Sequence, residues 1–272
     1  MKPTTISEQM LFNTVRLETL DGSSGTGFFF SFKIDDINYP VLITNKHVVN
    51  NNTQETVKFH LHLKKDDGAS DESSQIEFNS RWFFHPTKDI CFSFVNPLFQ
   101  EVRKQTGREV FYTTIDENLI YSKQQLENLS ALESVVMVGY PNGLWDARHN
   151  FPIFRHGYTA AHPAFDFNTD GIGMVDMACF PGSSGSPIYI LNENGYSDKK
   201  GNVYLNRSRV IFLGVLFAGP TTDISGRIIV RDIPTKQQVI PQVRTMLNLG
   251  YYVKSYELEE FKEIIKSAAS LK

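Results

Sequence analysis

The sequence predicts an all-β protein built as two strand-rich blocks and closed by a C-terminal α-helix. Three observations carry that prediction. Short β-branched and aromatic runs alternate with Gly, Pro, Asn and Asp clusters, as in antiparallel sandwiches and barrels. A polar stretch at 97–132 divides these runs into two groups, and an apolar repeat of helical period appears near the C-terminus.

In the first block the candidate strands are 13–18, 25–34, 40–44, 57–63, 77–83 and 90–95. The run Val57-Lys58-Phe59-His60-Leu61-His62-Leu63 alternates apolar with polar residues, as a half-buried strand does. His60 and His62 are then expected on one solvated face. Segments 66–74 and 192–208 are polar and turn-rich and read as hairpin loops or insertions. The dividing stretch carries a short helix at 123–132. The second block runs from 134 to about 216 and opens on Ser134-Val135-Val136-Met137-Val138-Gly139-Tyr140, which feeds the turn Pro141-Asn142-Gly143. At the end Ser255 caps a helix whose apolar residues Leu258, Phe261, Ile264, Ile265 and Ala268 recur at spacings of three and four. This helix is expected to pack on the second block.

A chain of 272 residues with ordinary apolar content can bury a substantial core, and its net charge of -3 offers no concentrated basic surface for a polyanion. Nucleic acid is therefore not the expected partner. No apolar run reaches bilayer-spanning length, and the first residues lack the apolar core of a signal peptide. The chain has only two cysteines, Cys91 and Cys179, too few for a disulfide framework. A cytoplasmic protein without a membrane partner is the expectation.

The most informative segment is Phe180-Pro181-Gly182-Ser183-Ser184-Gly185-Ser186-Pro187, where small, permissive residues surround a hydroxyl between two apolar runs. A serine that attacks an acyl group needs a sharp backbone turn that exposes its hydroxyl, with N–H groups converging on the oxyanion. Gly182 and Gly185 permit the bend, and the N–H groups of Gly182 and Ser184 are the candidate oxyanion hole. Alone, the octapeptide describes a Gly/Ser-rich hairpin loop equally well. Serine is a weak nucleophile until a base takes its proton, so a histidine and an orienting carboxylate must lie elsewhere. His47 sits where the buried run Val41-Leu42-Ile43-Thr44 ends in a polar turn, at the rim of a core. Asp89 stands where the turn His85-Pro86-Thr87-Lys88 meets the apolar run Ile90-Cys91-Phe92. That position suits a carboxylate buried beside an imidazole, although an ordinary turn or strand-start aspartate is the commoner fate of such residues.

Taken together, these segments resemble the chymotrypsin-like superfamily, and within it the trypsin-like branch of high-temperature-requirement type. Gly25-Thr26-Gly27-Phe28-Phe29-Phe30 looks like its early glycine-flanked strand, Ile43-Thr44-Asn45-Lys46-His47-Val48-Val49 its histidine motif, and Asp89-Ile90 its aspartate motif. Val138-Gly139-Tyr140-Pro141-Asn142-Gly143 and Phe154-Arg155-His156-Gly157-Tyr158-Thr159 resemble the strand pair opening its second barrel. Residues 176–187 are similar to its nucleophile loop, and Gly214-Val215-Leu216-Phe217-Ala218-Gly219 to the strand lining its cleft. The resemblance implies two six-stranded antiparallel β-barrels. The first, 1–110, carries His47 and Asp89; a linker follows at 111–133; the second, 134–254, carries Ser184; a helix closes the chain at 255–272. It implies a serine endopeptidase acting on a protein or peptide substrate through an acyl-enzyme, with no cofactor and no metal. Ala178 becomes the base of the primary pocket, with Leu216 and Gly219 as its walls. None of these three is charged, so an apolar side chain is expected on the acyl side of the cut bond. Cys179, beside the pocket, reads as a buried small residue.

The chain also departs from the family. Ser183 replaces the aspartate that pairs with a freshly cut N-terminus in digestive members, so the loop must be ordered by substrate, by a regulatory protein partner or constitutively. Segment 221–248 is longer and more polar than the equivalent link, and 249–253 reads as the last strand. Regulated intracellular processing is the expected role; the competing reading is a catalytically inactive protease-like module that keeps the cleft to bind a peptide or protein. An α/β esterase is disfavoured, because the order here is histidine, aspartate, serine and position 186 is not glycine.

Overall fold

The computed structural model describes residues 1–225 and 242–270. Thr5 opens α1 (Ile6–Asn13) with a capping box, its hydroxyl accepting from the Glu8 N–H at 3.2 Å while Glu8 Oε2 accepts from the Thr5 N–H at 3.2 Å. The sequence reading has no element there. The strands β1 (Thr14–Thr19), β2 (Ser24–Ile34), β3 (Ile37–Thr44), β4 (Gln54–Lys65), β5 (Gly68–Arg81), β6 (Phe83–Phe84) and β7 (Cys91–Phe94) follow. Segment 66–74, expected as a loop, is mostly strand: a turn at Asp66 (φ 52°) sends β5 straight back along β4.

A second unexpected helix, α2 (Val95–Thr106), begins at β7 and tolerates Pro97 because the first helical turn needs no N–H donor there. It buries Val95, Leu98 and Val102 and ends at Gly107 in the left-handed region (φ 73°). Next come β8 (Ile115–Asp116) and α3 (Lys123–Glu127), the latter inside the helix expected at 123–132.

The first-half strands are ordered β5-β4-β1-β2-β3-β7-β6, with β8 parallel to β2 as the eighth strand of the sheet. This differs from the closed six-stranded barrel expected there. Its end strands are consecutive in the chain, joined through Trp82 alone, which is buried and donates its backbone N–H to the Thr53 carbonyl at 2.8 Å. The two-residue β6 pairs with β7, so covalent continuity and not a ladder links the two ends.

In the second half, β9 (Ser134–Gly139), β10 (Ile153–Thr159), β11 (Ile172–Asp176), β12 (Pro187–Asn192), β15 (Arg209–Ala218) and β18 (Leu249–Lys254) close a six-stranded barrel in the order β10-β11-β18-β15-β12-β9. Between β12 and β15, β13 (Gly195–Ser197) and β14 (Val203–Leu205) form the hairpin that segment 192–208 suggests. β16 (Thr221–Ser225) pairs with β17 (Gln242–Met246), and residues 226–241 of the long link expected at 221–248 lie outside the described residues.

β2 is buried on both faces, which is why it reads as a nearly continuous apolar run. Phe29 joins Val15, Leu42 and Trp82 in the core of the first half. Phe28, Phe30 and Phe32 point the other way, into a core shared with Tyr189, Phe212 and Val253 of the barrel. After a 3-10 turn at Ser255–Glu259, α4 (Glu260–Ser270) seats Phe261 4.9 Å from the Phe92 ring and 6.3 Å from Phe32. The terminal helix therefore packs on first-half strands and not on the second block alone as expected. Those phenylalanines belong to an apolar cluster that Leu258, Phe261 and Ile265 complete.

His60 and His62 also differ from expectation, since both are buried. α1 and segment 146–151 cover their strand face. Phe12 and Phe151 lie 4.8 Å and 5.7 Å from the His62 ring, and Arg16 Nη1 is 3.1 Å from His60 Nε2. Among the described residues no helix is long and apolar enough to cross a membrane.

Candidate active site

β3 ends at Thr44, and the chain turns through Asn45 and Lys46 into a 3-10 turn, His47–Val49. Val48 and Val49 are buried in the first-half core while His47 stays exposed, so the turn is anchored by its apolar pair and presents the imidazole at the rim. Asp89 meets it: Asp89 Oδ2 is 2.5 Å from His47 Nδ1, and Asp89 Oδ1 accepts from the His47 backbone N–H at 3.3 Å. A carboxylate only accepts, so Nδ1 carries a proton, and in the neutral imidazole that tautomer leaves the Nε2 lone pair available. The placement suited a buried carboxylate; the Asp89 side chain is 31% exposed.

Two residues hold the aspartate in place. Asn45, fully buried, donates from Nδ2 to the Asp89 carbonyl at 2.7 Å. His85 Nδ1 accepts from the N–H groups of Thr87 and Lys88 at 3.2 and 3.0 Å, shaping the turn that delivers Asp89. Burial pushes the His85 pKa down, which keeps Nδ1 free to accept.

The serine loop is built as tightly. Ser183 N–H donates to the Phe180 carbonyl at 3.0 Å, closing a four-residue turn with Pro181 second and Gly182 third at φ 87°. That is the residue pattern of a type II turn. The Pro181 carbonyl accepts from the Asn142 N–H at 2.5 Å. In a trans peptide the next N–H points the opposite way, so Gly182 N–H faces away from Asn142. The N–H groups of Gly185 and Ser186 donate to the carbonyls of Leu216 and Ser183 at 2.8 and 3.0 Å. Those of Gly182 and Ser184 have no protein acceptor among the described residues. The loop holds three serines: Ser183 and Ser186 are fully buried, and Ser184 alone is partly exposed.

Thr26, in β2, ties the loop to the histidine strand. Its N–H donates to the Ser184 carbonyl at 2.9 Å, and its hydroxyl donates to the Gly182 carbonyl at 3.0 Å while accepting from Tyr140 N–H at 3.1 Å. Its own carbonyl accepts from Thr44 Oγ1 at 2.7 Å, three residues before His47. Gly185 (φ 86°) lies so close that a Cβ there would meet the Thr26 carbonyl at 1.9 Å and Thr44 Oγ1 at 2.6 Å. The structure brings Asp89 onto His47 and packs the Ser184 loop against Thr26 and Thr44, the end of the strand that leads to His47.

Of the pocket residues, Leu216 is buried, while Ala178 and Gly219 are partly exposed. A Cβ on Gly250 would meet Cys179 Sγ at 2.6 Å and Leu216 Cδ1 at 2.7 Å, so this glycine makes room for both. Burial pushes the Cys179 thiol up to about 12, which leaves it a neutral thiol, as its reading as a small core residue requires. Sequence reasoning passed over four contributors here: Thr26, His85, Arg155 and Gly250. The glycines either side of Thr26 were the one local signal, since they mark a close backbone approach. Arg155 Nη1 donates to the Ala178 carbonyl at 2.7 Å, an arrangement no local pattern announces.

The family described as trypsin-like peptidase domain matches residues 25–195, more than half of the chain. Among solved structures, the scabies mite inactivated protease paralogue S-I1 (SMIPP-S-I1) is similar over 97% of each chain, at 13% identity and a TM-score of 0.46. No curated protein matches the chain.

Proposed function

From a chain that belongs to the trypsin-like peptidase domain family, we propose a working serine endopeptidase with Ser184 as nucleophile, His47 as general base and Asp89 as the carboxylate that orients it. The observation that carries this reading is the loop itself. Its one partly exposed serine lies beside two N–H groups, of Gly182 and of Ser184 itself, that no protein acceptor uses among the described residues.

His47 Nε2 takes the Ser184 hydroxyl proton as Oγ attacks the substrate carbonyl carbon. The oxyanion is held by the N–H groups of Gly182 and Ser184. The imidazolium, stabilised by Asp89, passes its proton to the leaving amine and the C–N bond breaks, leaving an acyl ester on Ser184. Water, deprotonated by His47, cleaves that ester and frees the acid. Ala178, Leu216 and Gly219 line the pocket for the side chain on the acyl side of the cut bond. The same reading includes a chymotrypsin-like division of the chain at 1–110, 111–133, 134–254 and 255–272. It also includes the high-temperature-requirement type of branch and a regulated processing role in the cytoplasm on a protein substrate.

Hydrolysis of a fluorogenic peptide library tests it. Turnover that disappears in both Ser184→Ala and His47→Ala supports the reading. Turnover undiminished in Ser184→Ala would overturn Ser184 as the nucleophile, and none by the folded wild-type protein would overturn the peptidase reading in favour of a module that only binds peptides.

A further inference from the structure

Arg155 is the charged group that the apolar expectation for the pocket leaves out. It lies on β10, where Phe154, His156 and Tyr158 are exposed while Gly157 and Thr159 are buried. Arg155 shares the inward face with the buried pair. An arginine on the inward face of a barrel strand needs a reason, because a guanidinium withdrawn from water must find anionic or carbonyl partners.

Its contacts fall on three consecutive residues that lead into the nucleophile loop. Nη1 donates to the Ala178 carbonyl at 2.7 Å, and the guanidinium lies 4.7 Å from the Phe180 ring centroid. Between these two, Cys179 feels its positive field, which partly offsets the effect of burial on the thiol. No carboxylate of the described residues pairs with Arg155. Guanidinium carries five N–H donors, and only the bond to Ala178 engages one of them within the described residues. The result is a half-buried cation, clamped in orientation by a carbonyl and an aromatic face, with donors to spare beside the expected pocket base.

We propose that Arg155 makes this pocket select an acidic side chain, aspartate or glutamate, on the acyl side of the cut bond. The proposal rests on the peptidase reading of the same cleft and replaces the apolar preference that Ala178, Leu216 and Gly219 alone imply. A carboxylate supplies the missing counter-charge and matches the planar fork of guanidinium with two parallel acceptors. A neutral amide of the same shape offers one acceptor and brings a competing donor. An apolar side chain leaves the cation unpaired in a site that substrate binding has dried.

The test uses peptides identical except for Glu, Asp, Gln or Leu at that position. In wild-type protein, kcat/KM for Glu or Asp should exceed that for Gln and Leu by at least about 30-fold, the scale set by an unpaired charge at an interface. Arg155→Gln should collapse the Glu-to-Gln ratio to near one. Arg155→Lys should keep a reduced preference, which a purely structural role would not produce, and thermal melting establishes that each variant is folded. The same peptides are titrated onto Ser184→Ala, so that the pocket is judged by binding even without turnover. Tighter binding of Glu than of Gln that Arg155→Gln abolishes supports the proposal whether or not the wild type cuts. Preference for Leu, or a Glu-to-Gln ratio that Arg155→Gln leaves unchanged, overturns it while leaving the peptidase reading intact. Absence of turnover together with Arg155-dependent Glu binding overturns the peptidase reading and keeps the pocket.

Discussion

Replacing Thr26 by valine probes the joint between the two halves of the site. The residue is fully buried, and its hydroxyl makes two bonds, to the Gly182 carbonyl at 3.0 Å and from the Tyr140 N–H at 3.1 Å. Valine keeps the shape and removes both. Each lost bond is worth about 1 kcal/mol net, and the carbonyl and N–H left buried without partners raise the total to about 2–4 kcal/mol. The kinetic consequence comes from where the bonds are lost. Freed at its Gly182 carbonyl, the turn over 180–183 loses the contact that sets its plane, and the Gly182 N–H goes out of line. We expect kcat to fall by about 10–100-fold, less than the loss of a whole oxyanion donor, with KM changed little. Urea denaturation and steady-state kinetics measure the two effects, and Thr26→Ser, which restores the hydroxyl, should recover most of both. A Thr26→Val protein within about 0.5 kcal/mol of wild type and fully active would refute the reasoning, because that is the range of an ordinary surface change.

Asp89→Asn should lower kcat by roughly 10³–10⁴-fold through the wrong His47 tautomer while the fold stays intact, and a loss under tenfold would remove Asp89 from its role. His62, whose pKa burial pushes down to about 4, stays neutral in the native protein while the unfolded chain protonates it near its ordinary value of 6.5. Its contribution to stability is therefore complete above about pH 6.5 and lost as pH falls towards 4, by about 3 kcal/mol. Urea midpoints at neutral and acid pH measure this, and His62→Gln should flatten the difference. Phe261→Ala should cost about 3–5 kcal/mol in chemical denaturation, since its ring is fully buried against Phe92 and Phe32.

The features legible in the sequence share a physical property: their information is local. Gly182 and Gly185 announce a sharp turn because their positive φ angles disfavour other residues, and His47 was readable just past the end of a buried strand. Of the barrel strands, β9 showed itself as the apolar run opening the second block. What escaped depends on distant partners. α2 was obscured by Asn96 and Pro97, which look like a turn until the buried face of Val95, Leu98 and Val102 is known. The pattern around His60 and His62 gave the correct strand but the wrong environment, because α1 and segment 146–151 cover that face from elsewhere in the chain. The terminal helix was evident from its period, yet its docking face was set by Phe32 and Phe92, far upstream. Arg155 looked like a polar residue in a strand until the barrel turned it towards Ala178.

Labelling with a fluorophosphonate, read by intact mass and peptide mapping, tests the central claim most directly, because the reagent demands an activated serine and makes no use of the pocket's preference. The account predicts a single adduct on Ser184 of the folded protein, absent in Ser184→Ala and strongly slowed in His47→Ala. A folded protein that stays unlabelled at Ser184, or labels as fast without His47, would contradict it.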